Sequence, residues 1–137
     1  MSPGTVLLGA LLVGIGGGAG SALRWWLRDL GMREAARRYR NGDVRVKPWL
    51  TFFVNVLASF LLGLIVARLG SSAAGVAELG YLVLAAGFCG GLSTLSTAAL
   101  DVVELMRRAG FAIAVSYLLL SVGTSMAMLW LGVVIAS

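Results

Sequence analysis

The chain has 137 residues, of which 59% are hydrophobic and only 12% charged, and its mean hydropathy of +0.94 lies outside the range of soluble domains. A span needs roughly 20 apolar residues to cross a hydrocarbon core of about 30 Å, so this length admits four spans and little else. The net charge of +5 sits between apolar runs and not on a soluble surface, which favours anchoring at a membrane face over nucleic-acid binding.

The first span covers about residues 5–27. No basic stretch precedes its apolar run and no soluble domain follows it, so it reads as a retained span and not a signal peptide. It carries GIGGGAGS at Gly14 to Ser21. The string is GxGxxG-like, yet no strand precedes it and no acidic residue follows at the distance a dinucleotide-binding unit requires. Small residues at this density instead let helices approach closely in lipid. Arg24, near the end of the span, either snorkels to the interface or lines an anion's entrance. The linker 28–47 is strongly basic and reads as a solvated loop, with room for a short surface helix from Met32 to Tyr39.

Span two covers about 49–69, opening after Pro48 with Trp49 as an interfacial anchor. Thr51, Asn55 and Ser59 fall at i, i+4 and i+8, one polar stripe along a helix face. A Ser or Thr in a membrane helix can bond its own backbone, but the Asn55 amide has no such easy outlet. A small loop, Gly70 to Glu78, leads to span three at about 79–107.

That span is interrupted near its middle by Gly87 to Thr97, GFCGGLSTLST. Gly90 and Gly91 disfavour helix by about 1 kcal/mol each relative to Ala. A broken helix survives in a bilayer only where the freed backbone groups find protein, ion or water, so the break marks a candidate site. Cys89 is the single cysteine and the chain has no histidine, which excludes an internal disulfide and leaves no ordinary zinc or haem site. Cys89 reads as a packing residue. Asp101 is either a cap or partner of a buried donor, or part of a permeation path. Span four, about 111–136, repeats the stripe with Tyr117, Ser121 and Ser125 at i, i+4 and i+8. Two stripes and a break make a polar pathway a better explanation than helix glue alone.

With these features together, the chain resembles the Fluc (CrcB) fluoride channel family over nearly its whole length. The resemblance rests on Gly87 to Thr97, which looks like that family's GFCGGxTTFSTF signature, on Asn55 with Thr51 one turn before it, on Arg24 in a GxxLR setting, and on Tyr117. It implies an all-α integral membrane fold: four transmembrane helices, the third broken, paired as an antiparallel dimer of four-helix subunits. It also implies passive export of fluoride across the cell's inner (plasma) membrane, which lowers its toxicity. A structural, untransported Na⁺ at the dimer centre would be held by the backbone carbonyls of Gly90 and Ser93 from both subunits. The anion path would be built from Asn55, Thr51, Ser59, Thr97, Tyr117, Ser121 and Ser125, with Arg24 at its vestibule.

Two departures from the family pattern bear on the partner. The signature's two phenylalanines, whose ring edges face the anion, are here Leu95 and Ala98. The linker and the turn at Arg107 and Arg108 share one membrane face and hold nine basic residues, against Arg68 alone near the other. Positive-inside bias then places the termini outside. Such a bias suits a subunit that pairs with a homologous, oppositely oriented chain supplying the phenylalanines, although pairing with itself stays open. Among other functions, a small four-helix proton-coupled multidrug exporter needs an intramembrane carboxylate, which span one lacks. A non-conducting assembly protein leaves both stripes without purpose, and no nucleophile, base and orienting group converge for an enzyme.

Overall fold

The computed structural model describes residues 3–38, 42–70 and 75–137. Tyr39, Arg40 and the middle of the loop expected at 70–78 lie outside the described residues. The described chain is almost wholly helical: α1 (Pro3–Arg38), α2 (Gly42–Leu69), α3 (Val76–Tyr81), a π-helical stretch (Leu82–Cys89), α4 (Gly90–Leu92), α5 (Leu95–Ala109) and α6 (Phe111–Ala136). Among the described residues four helices are long and apolar enough to cross a membrane, with 78–109 acting as one interrupted rod.

Three local features differ from the sequence reading. The 28–47 linker is mostly helix: α1 runs on for 36 residues, about 54 Å at 1.5 Å per residue, so its arginine-rich end projects beyond a core of about 30 Å. Ion pairs at i, i+4, Arg33 to Asp29 at 2.8 Å and Arg38 to Glu34 at 2.6 Å, support this extension. Pro48 lies inside α2 and not ahead of it. The interruption of the third rod is confined to two residues within 87–97, Ser93 (φ −71°, ψ 156°) and Thr94 (φ −150°, ψ 113°). Gly90 stays helical at φ −63°, ψ −39°.

The glycines therefore serve close approach. A Cβ on Gly20 would overlap the Phe88 carbonyl oxygen and stand 2.8 Å from Leu92 N, and one on Gly91 would overlap the backbone of Gly17. This seam lays α1 directly on the π-helical stretch and α4. A second seam joins α2 to α6, where a Cβ on Gly63 would overlap Leu129 O and one on Gly132 would overlap Phe60 O. Small residues that admit a neighbouring backbone are how helices associate in lipid. Between the seams, Val54, Ala58 and Leu92 are buried against Leu23, Leu27, Leu61 and Phe88. Outward positions such as Leu11, Ile15, Leu119 and Trp130 are apolar and exposed, as lipid contact requires.

A single residue, Gly110, turns α5 into α6 at φ +99°, a value that favours glycine. Glu104 joins the start of α2 to the end of α5 by accepting from Lys47 at 3.2 Å and Arg108 at 2.9 Å, so these basic residues share one end of the bundle. At the other end Arg68 Nε donates to the Ala136 carbonyl at 2.8 Å and closes the last turn of α6.

Candidate functional site

The site is organised by the break. In an unbroken helix the N–H groups of Thr94, Leu95, Ser96 and Thr97 would meet the carbonyls of Gly90, Gly91, Leu92 and Ser93. The extended backbone at Ser93 and Thr94 removes that ladder, and side chains from two helices and from Thr94 itself replace part of it. Asn55 of α2 accepts from Thr94 N–H at 2.8 Å and donates through Nδ2 to the Thr94 carbonyl at 3.2 Å. On α1, Ser21 donates to the Gly91 carbonyl at 3.3 Å and Arg24 Nη1 to the Ser93 carbonyl at 3.0 Å. Thr94 is the N-cap of α5: its hydroxyl accepts from Thr97 N–H at 3.3 Å, donates to the Thr97 hydroxyl at 3.0 Å and lies 3.3 Å from Ser96 Oγ.

The Gly90 carbonyl is left with the weakest partner, Ser93 Oγ at 3.5 Å. Among the described residues no group of three or more His, Cys, Asp or Glu could hold a metal ion. The oxygens offered at the break are neutral and hard, a donor set that suits an alkali cation and not a transition metal. Gly90 is exposed at the surface of the subunit.

Beside the break runs a groove of about 290 Å³ lined from α2 and the broken rod by Asn55, Ser59, Ser93, Thr94, Leu95 and Ala98, and from α6 by Ser121 and Ser125. Every polar group on this lining is neutral. Leu95 is 85% exposed and points away from the subunit's own interior. The two stripes thus converge in part, and the outer member of each does something else. Thr51 is fully buried and its hydroxyl lies 3.3 Å from the Lys47 carbonyl, one turn back. Tyr117 donates to the Pro48 carbonyl at 2.9 Å and lines a separate groove of about 720 Å³ with Trp49 and Arg108. Arg24 also borders a hollow with Ser21, Trp25 and Arg28.

Two residues outside the expected site stand out. Thr94 is central because its hydroxyl caps α5, and a hydroxyl residue followed three positions later by Thr97 was the available signal. Asp101 is completely buried, and among the described residues neither carboxylate oxygen has a hydrogen-bond partner. Its position one turn from charged Glu104 leaves a buried and an interfacial place equally open.

A family model described as "CrcB-like protein, Camphor Resistance (CrcB)" matches residues 11–133. The chain is 33% identical over 129 residues to "Fluoride-specific ion channel FluC" of Rhizobium etli, covering 94% of this chain and 96% of that one. It is 36% identical over 122 residues to "Fluoride-specific ion channel FluC 2" of Rhodococcus jostii, covering 89% and 93% of the two chains. To "Fluoride-specific ion channel FluC 3" of Bifidobacterium longum it is 39% identical over 114 residues, covering 82% and 85%.

Proposed function

The chain belongs to the CrcB family, and on that footing we propose that it is a subunit of a channel through which fluoride leaves the cell passively, relieving its toxicity. It is a multi-pass membrane protein of a channel family and not an enzyme. The exporter reading is not favoured, since the relatives are named as ion channels.

The observation that carries the proposal is the groove beside the break. Asn55, Ser59, Ser121 and Ser125 place hydroxyls and an amide on a lining otherwise largely apolar, with Leu118, Val122 and Met126 of α6, and no acidic or basic side chain is among its lining residues. Fluoride is small and tightly hydrated, so closely spaced neutral donors can replace its water without trapping it as a fixed cation would. Thr97, whose hydroxyl lies against that of Thr94 at the start of α5, would add a hydroxyl to the path. Thr51 and Tyr117, now on the carbonyls of Lys47 and Pro48, extend the ladder towards the basic end once their hydroxyls turn. Arg24 attracts anions to the entrance.

The carbonyls of Gly90 and Ser93 would hold a structural Na⁺ whose charge offsets their dipoles at the centre of an antiparallel dimer. Leu95 and Ala98 face the groove where the family has phenylalanines, so a homologous, oppositely oriented subunit is the partner that would complete a pore. The basic end faces the cytoplasm of the inner membrane and the termini lie outside. The test is purified chain in liposomes with fluoride efflux read by electrode, in Na⁺ and in Na⁺-free buffer, with chloride as the competing ion. Fluoride flux from the chain with a homologous partner, exceeding chloride flux, supports the channel. Flux of neither halide under any pairing removes it, and robust flux from the lone chain removes the need for a different partner.

A further inference from the structure

We infer that Asn55 is a positioning residue, which sets the shape of the break by pairing with both backbone groups of Thr94. This deepens the channel reading of the same groove. The two bonds, 2.8 Å to the N–H and 3.2 Å from the carbonyl, form the exchange that a hydrogen-bonded residue in a neighbouring antiparallel strand would make. Thr94 is extended at φ −150°, ψ 113°, and among the described residues no strand lies beside it; the Asn55 side chain of α2 takes the strand's place. An amide on a short stem is suited to this because it presents one donor and one acceptor side by side. A hydroxyl offers a single atom, and a carboxylate offers acceptors alone.

The pairing acts on the groove at one remove. Holding Thr94 extended aims its hydroxyl at Thr97 N–H and brings it to the hydroxyls of Thr97 and Ser96. It also takes the Thr94 N–H away from Gly90 and so frees the Gly90 carbonyl. On the far side, Ser21 and Arg24 brace the carbonyls of Gly91 and Ser93 from α1. All of these partners come from one chain. The break is consequently preformed within a single subunit, before any cation or second subunit arrives.

Residue-resolved amide exchange on the full, isotopically labelled protein in nanodiscs tests this. Leu95 and Ser96 begin α5 and have no helical partner for their N–H groups, so they serve as internal references. In the unaltered protein Thr94 N–H should exchange at least about tenfold more slowly than either, equally with Na⁺ and with choline as the only monovalent cation. Asn55→Ala should bring Thr94 to the reference rate, whereas Asn55→Asp, which keeps the acceptor and loses the donor, should hold most of the protection. Thr94 exchanging as fast as Leu95 and Ser96 in the unaltered protein would overturn the inference, as would protection that survives Asn55→Ala or that needs Na⁺. The unaltered protein decides the matter even if a variant does not fold. Absence of fluoride flux alongside the expected exchange pattern would sink the channel reading and leave the positioning role standing.

Discussion

Replacing Gly20 by alanine puts a methyl group into the seam between α1 and the broken rod. The added Cβ overlaps the Phe88 carbonyl oxygen and lies 2.8 Å from Leu92 N, whereas unstrained heavy-atom contacts sit near 3.5 Å. Both neighbours are backbone, so no rotamer change relieves the clash and α1 must retreat by at least about 0.7 Å on the Leu92 contact alone. Ser21 and Arg24 ride on the same face. Their bonds of 3.3 Å to the Gly91 carbonyl and 3.0 Å to the Ser93 carbonyl stretch beyond the useful limit of about 3.5 Å. Overpacking costs about 1–3 kcal/mol and the two bonds about 0.6 kcal/mol each in a membrane setting. Better helix propensity returns about 1 kcal/mol, which leaves a net loss of about 1–3 kcal/mol. The control lies two residues away: Gly18 has nothing within 4 Å of a built Cβ, so Gly18→Ala should be neutral or stabilising by up to about 1 kcal/mol. Denaturant titration in mixed micelles, followed by tryptophan fluorescence, compares the two. Equal stability of Gly20→Ala and Gly18→Ala would refute the seam as described.

Three further outcomes are expected. Asp101→Asn removes a buried carboxylate that has no hydrogen-bond partner among the described residues, so thermal melting should hold steady or rise; a clear drop would show that the charge has a stabilising partner. Tyr117→Phe deletes the 2.9 Å bond to the Pro48 carbonyl and should cost about 1 kcal/mol in the same denaturant titration, with no loss if water replaces the hydroxyl. Leu95→Phe with Ala98→Phe returns aromatic edges to the groove and should raise fluoride flux from the lone chain in liposomes; Leu95 is 85% exposed, so Leu95→Phe alone should leave melting unaltered, and unchanged flux from the double variant would count against missing rings as the limiting defect.

Much of the groove could be read from spacing. Asn55 with Ser59, and Ser121 with Ser125, are each four residues apart, so each pair shares a helix face, and the structure brings these faces together beside the break. Periodicity has no information on which partner a hydroxyl takes, and Thr51 and Tyr117 lie on nearby backbone carbonyls. The glycines misled for a related reason. Their low helix propensity suggests unwinding, but Gly90 stays helical, and Gly91 and Gly20 are spent on letting two backbones touch. Propensity is a weak local prior, and close approach outweighs it. The linker's charge suggests a loop, while i, i+4 pairs on α1 make the same charges compatible with helix.

What the amino-acid sequence determined alone was the solvent and the repertoire: with 59% hydrophobic residues the chain partitions into lipid, lipid forces every backbone group to be paired, and continuous apolar runs of about 20 residues meet that demand as helices. Where one rod would open was decided by tertiary structure. Ser93 and Thr94 leave the helix at a point where Arg24 and Asn55, 69 and 39 residues earlier in the chain, meet the peptide groups that the helix no longer pairs. Partners that distant are set by how α1 and α2 pack, and no local window of sequence contains them.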